Sequence, residues 1–185
     1  MGMEISDDAL DMLASESALS PQLMQENCFN LAFAMITEDR AITIEDVRTA
    51  FRDTVTEYKH YQDVVARILE GPSKGRSRRR VYKTKDGREG DIYDIFLLGI
   101  SDDPPLLKFS LEEIQRRIKK IIAEDESMPA PLNLSKTAKN VEKIVKEAMP
   151  NADTLDWKDG ELYILDPFLL FYLRWSRAWK SGLIS

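Results

Sequence analysis

The stretch from Asp153 to Trp175, DTLDWKDGELYILDPFLLFYLRW, constrains the fold more than any other part of the chain. Thr154 to Trp157 and Leu162 to Leu165 have the length and composition of strands. Between them stands Asp159-Gly160. A two-residue type I′ turn needs φ > 0 at both central positions, which Asp-Gly tolerates, so a hairpin is predicted. Asp166-Pro167 then opens a helix, with Asp166 as its cap and Pro167 at the first helical position. Phe168, Leu169, Phe171, Tyr172 and Trp175 make this helix apolar on most of its circumference. Such a helix has to be buried, and the rest of the chain is the material it packs on.

Upstream, Ser6 to Ser17 reads as a helix capped by Ser6, with Leu10, Leu13 and Ala14 on one face. A second helix starts at Ser20-Pro21 and carries an apolar stripe of Leu23, Met24, Cys28, Leu31, Ala32 and Met35. Thr43 and Asp46 form a capping-box start for a third, which runs to about Glu70 and is long enough to bend or break midway. Gly71 to Arg80, GPSKGRSRRR, breaks the composition and marks a domain boundary, and residues 72–88 are read as a basic linker. Val81 to Lys83 is a candidate short strand before the Asp86-Gly87 turn.

The order beyond the linker is more specific. Asp91 to Ile100 is an apolar helix, stopped by Asp102-Asp103-Pro104-Pro105. Leu107 to Phe109 is a candidate strand, and Ser110 with Glu113 starts a helix to about Ala123. Pro129 and Pro131 are assigned to a loop, and Ser135 is expected to cap a helix to about Met149. With the hairpin and last helix, this is the order of a winged helix. The fold class expected is mainly α: an all-helical domain over 1–71, the linker over 72–88, and a winged-helix domain over 89–185 with a small β-hairpin wing.

Three stretches resemble the C-terminal region of bacterial and archaeal AAA+/STAND-type P-loop ATPases. SDDALDMLASESALSPQLMQENCFNLAF resembles the helical lid behind the nucleotide-binding core, ITIEDVRTAF the helix that closes such a lid, and DGELYILDPFLLFYLRW the wing and last helix of the winged-helix module that follows. The resemblance implies a regulatory part of such an ATPase, partnered with an ATPase core domain or another protein. The chain departs from the family in carrying no G-x-x-x-x-G-K-[ST] phosphate loop and no apolar strand ending in an acidic pair, the groups that hold phosphate and Mg²⁺. Ser20-Pro21-Gln22-Leu23 stands where many lids place a nucleotide-sensing arginine. A C-terminal fragment of a larger ATPase, or a relative that has lost its core, is expected.

The residues suggest no catalytic centre and no cofactor. His60 is the only histidine, so no pair of histidine ligands exists, and it reads as a surface residue. Cys28, the one cysteine, reads as a small core hydrophobe in a reducing cytoplasm. No leader and no apolar run of membrane-spanning length is visible. A net charge of -6 argues against a dedicated nucleic-acid binder. Two local clusters argue the other way.

The first cluster is Arg76, Arg78, Arg79, Arg80 and Lys83, with Lys74, Lys85 and Arg88 around it. It has three readings: phosphate contacts, a linker kept soluble by its charge, or docking on an acidic face of an ATPase core. The second cluster is Lys136, Lys139, Asn140 and Lys143 on the third winged helix, where such residues face the major groove and Asn140 is placed to pair with adenine. Its alternatives are an ordinary solvated face or a protein-binding one. The seven aromatics from Trp157 to Trp179 read as core rather than a binding box, with Trp175 and Trp179 as the exceptions that are open to a partner. Arg174, Arg177 and Lys180 are expected to leave the end of the last helix amphipathic and open to a partner. The leading expectation is a non-catalytic regulatory and interaction region. Its rival is a stand-alone winged-helix DNA-binding regulator.

Overall fold

The computed structural model describes residues 4–72 and 79–180. Within them the chain is mainly helical, with eight helices, one two-stranded sheet and one three-stranded sheet.

The first half is helical. Helix α1 (Asp7–Glu16) begins after Ser6, which sits at the cap position without making the side-chain bond. Leu13 is buried on α1 as expected, but Leu10 and Ala14 are exposed, and Ala9 and Glu16 fill the inward row instead. Helix α2 (Pro21–Met35) starts where Ser20 accepts from the Leu23 amide. Its buried row is Leu23, Asn27, Leu31 and Met35. Cys28 is therefore a correction: one residue past Asn27, it is turned outward and exposed. The long helix does break. Helix α3 (Ile44–Thr56) has the full capping box of Thr43 and Asp46, and helix α4 (Lys59–Glu70) follows after a two-residue turn.

The second half opens with strands β1 (Tyr82–Lys83) and β2 (Glu89–Gly90), an antiparallel pair around the Asp86-Gly87 turn. Helix α5 (Ile92–Ile100) is capped by Asp91 and has seven of its nine residues buried. Asp94 shares that cap, and burial, its largest cause, lifts its carboxyl to about 6. Strand β3 (Lys108–Ser110) leads into helix α6 (Leu111–Ile121), where Ser110 accepts from the Glu113 amide. The Glu113 carboxylate does not complete the box; it clamps Arg116 and Arg117 instead. Arg117 has no exposed surface. Its guanidinium also donates to the carbonyls of Asp102 and Pro104 and lies over the Phe109 ring, which fixes the loop after α5.

Helix α7 (Pro131–Ala148) begins four residues before the expected cap, with Pro131 in its first turn and Ser135 inside. Proline's fixed φ suits that first turn. Strands β4 (Leu155–Lys158) and β5 (Glu161–Ile164) make the hairpin, and β5 also pairs with β3, giving the sheet order β3-β5-β4. Asp159 at φ 54° and Gly160 at φ 82° turn it as predicted. Asp166 caps helix α8 (Pro167–Trp175) by accepting from the Phe168 amide.

One hydrophobic core runs through both halves. Helix α3 packs on α8, and α4 packs on α7 and α5. Phe51 of α3 meets Phe171 edge-on at 5.0 Å and Trp175 at 4.9 Å. The Tyr61 hydroxyl donates to Asp166, which ties α4 to the cap of α8. Burial is the main reason the Tyr61 hydroxyl is held far above the ordinary tyrosine range, and this bond to a carboxylate adds to it.

The end of α8 is where the structure departs most from the expected open, amphipathic surface. Arg174 and Glu16 form a bidentate pair, each side chain only 7% exposed. Arg174 also donates to the carbonyls of Ser101 and Asp102 and to the Asp103 carboxylate at 2.6 Å, and the Trp175 indole donates to Glu16 at 2.8 Å. Trp179 is buried as well, its indole donating to the Leu173 carbonyl.

Candidate interaction surface

The two basic clusters have different fates. Arg76 and Arg78 lie outside the described residues. Arg79 has turned inward: it donates to the Leu69 and Glu70 carbonyls at the end of α4, pairs with Asp91 at 2.5 Å, and lies over the Tyr93 ring. The orphan carbonyls and negative end of α4 account for this placement. Its work is to join α4 to the cap of α5. Arg80 lies over Tyr82 and pairs with Glu126 at 3.2 Å. Lys83 stays exposed on β1, its backbone amide held by Glu126.

Two further lysines, Lys120 and Lys180, come together with Lys85 and Arg88 in a cleft of about 300 Å³ between the β1–β2 turn, α6 and the residues after α8. Asp86 and Asp102 share the cleft. Asp86 is lowered to about 2, mainly by its bond to Arg88 and then by Thr84. Lys180 donates to the Arg174 carbonyl at 2.7 Å. Burial pulls its ammonium down to about 8, and the nearby Arg174 and Arg88 add to the fall. No local pattern marks this grouping, because Lys85, Lys120 and Lys180 are far apart along the chain.

On α7, Lys136, Lys139 and Lys143 are exposed. Their i, i+3, i+7 spacing puts them on one stripe. Lys143 reaches Glu147 only at 3.7 Å, whereas Lys146 is drawn into Glu142 at 2.6 Å and Asp156 at 3.2 Å. Asn140 is not part of the outward stripe. It is half-buried, and its amide donates to the Tyr93 hydroxyl at 3.0 Å. The flank of α7 beside it faces α4 across a cleft of about 390 Å³, lined by Arg67, Glu70, Asn140, Lys143 and Glu147. A base edge approaching Asn140 would have to displace its bond to Tyr93.

His60 is exposed, its ring 4.0 Å from that of Tyr61. Among the described residues no group of three or more His, Cys, Asp or Glu is arranged to hold a metal ion, and no helix is long and apolar enough to cross a membrane. Comparison of the chain with protein-family models, with curated proteins and with solved structures finds no match.

One surface carried no expectation. Phe29, Phe33 and Ile36 on and just after α2 are 69%, 72% and 69% exposed. At i, i+4 and i+7 they form a single row about 10 Å long, on the side of α2 away from Leu23, Leu31 and Met35.

Proposed function

We propose that this chain is a non-catalytic coupling and interaction module. Its α1–α4 half corresponds to an ATPase lid and its α5–α8 half to a winged helix, and the module passes the state of an ATPase core to a partner. The observation that carries this reading is the seam between α3 and α8. Phe51 packs between Phe171 and Trp175, and beside them the Glu16–Arg174 pair is locked by Trp175 and Asp103. A displacement applied to the lid-like half is delivered to α8 and the hairpin through these contacts, because close-packed interiors transmit strain rather than absorb it. The helix-strand-helix-helix-hairpin order and the β3-β5-β4 sheet support the winged-helix assignment.

A second reading, a DNA-binding regulator, is favoured by the exposed row of Lys136, Lys139 and Lys143 on the helix that a winged helix presents to DNA. The bond of Asn140 to Tyr93 and the placement of α4 along α7 weigh against sequence readout there.

Anisotropy titration with duplex DNA at about 150 mM salt separates the two. The coupling module binds no better than the roughly 10⁻⁴ to 10⁻⁶ M of non-specific contact. A nanomolar, sequence-dependent complex would reject it in favour of the regulator. Calorimetry with ATP-Mg²⁺ should show no tight binding, since the chain has no phosphate loop.

A further inference from the structure

Helix α2 is apolar on both sides. Among the described residues one side of α2 is covered and the other is open. Its covered side packs on α1 and α3. That side even carries a buried Asn27, 1% exposed, whose amide nitrogen and oxygen have no hydrogen-bond partner. The open side carries the Phe29, Phe33 and Ile36 row. Large exposed apolar groups in one patch mark an interaction site.

The charge around the row says what fits it. Eight carboxylates and no basic residue precede Arg40 in the chain. Glu26 stands one turn before Phe29, and Glu38 and Asp39 follow Ile36, so acidic groups flank both ends of the row. Glu26 is engaged by the Tyr58 hydroxyl at 2.5 Å, and Glu38 by Arg40 at 3.5 Å. For Asp39, exposed three residues after Ile36, no ion pair is found among the described residues.

We propose that the Phe29–Phe33–Ile36 face of α2 is a docking surface for a basic amphipathic helix, which lays its apolar side on the aromatic row and its lysines and arginines against the acidic rim. This is the helix-in-groove mode, with anchors at i, i+4 and i+7. The acidic rim speeds association with a cationic partner and repels an anionic one. The face lies on a different helix from the α7 lysines and apart from the α3/α8 seam, so its failure leaves the coupling reading standing.

The test is an anisotropy titration of the full chain with a labelled leucine–lysine amphipathic helix, beside a leucine–glutamate helix of the same apolar pattern. The expected result is about micromolar binding of the lysine helix, a loss of about tenfold or more in a Phe29→Ser/Phe33→Ser double variant, and no binding of the glutamate helix. Binding should also weaken as salt rises. Both substituted positions are exposed, so the melting temperature of the variant should be unchanged, and its circular dichroism checks that the fold is intact. Equal binding by wild type and double variant would overturn the proposal, as would equal binding of the two helices. Light scattering of the chain alone supplies the other decisive outcome: a monomer is expected, and a dimer that the double variant abolishes would assign the face to a second copy of the chain instead.

Discussion

The two seams that join the halves of this molecule are built differently. At the α3/α8 seam three aromatic rings interlock and a buried ion pair is held from four sides. Along one flank of the α4/α7 seam a cleft of about 390 Å³ lies open, lined by Arg67, Glu70, Asn140, Lys143 and Glu147 among others. Removing atoms from a packed seam leaves a cavity and unpaired charge, whereas removing them from an open cleft leaves neither. Truncations at the α3/α8 seam should therefore cost more than truncations along the open flank of α4 and α7.

The largest expected effect is at Phe51. Phe51→Ala should cost about 3–5 kcal/mol in denaturant unfolding, as a fully buried aromatic truncation does. A loss below about 1 kcal/mol would mean that the seam relaxes around the gap. Arg174→Met should be of similar size, about 3–5 kcal/mol, because it leaves Glu16 buried without its partner. Adding Glu16→Leu to it should recover much of that loss; a double variant as unstable as the single one would show that packing, not charge, sets the cost.

At the margin of that cleft, Asn140→Ala removes one hydrogen bond from α7 to Tyr93 of α5 and should cost only about 0.5–1.5 kcal/mol in the same unfolding experiment. A cost equal to that of Phe51→Ala would show that the cleft margin is held as firmly as the α3/α8 seam.

The smallest effect is a pH dependence at the end of α8. Lys180 is lowered from 10.5 to about 8 in the folded protein, chiefly by burial. Between these values the unfolded chain holds more protons than the folded one, so stability should rise as pH increases from about 8 towards 10. Tyr58 and Tyr61, both raised mainly by burial, act with the opposite sign above about 10, where the unfolded tyrosines ionise first. Urea midpoints at pH 8 and pH 9.5 should therefore differ in wild type, and Lys180→Met should flatten the difference. A Lys180→Met protein with the same rise would place its origin elsewhere.

What the sequence made legible is local. The Asp159-Gly160 turn, the Thr43–Asp46 box, the Ser20 and Asp166 caps and the helical order of the second half depend on residues within four or so positions of one another, where backbone geometry and hydrogen bonding act directly. The faces of weakly patterned helices were not legible. On α2 the expected Leu23, Leu31 and Met35 are buried, but Asn27 rather than Cys28 completes their row, and a second apolar row of Phe29, Phe33 and Ile36 faces outward. The Arg174–Glu16 pair, 158 residues apart, and the inward turn of Arg79 left no periodic trace either. Both arginines looked like free surface charge, because an arginine's destination is decided by carbonyls and carboxylates that only tertiary packing brings near.

The most direct test of the coupling account is native-state hydrogen exchange on wild type and Phe51→Ala. Amides in contiguous cooperative units open together. The account predicts that the most protected amides of α3 and of α8 with β5 exchange with the same opening free energy, and that Phe51→Ala lowers both by the same amount. Protection lost in α1–α4 while α5, α8 and β5 keep their wild-type values would contradict it.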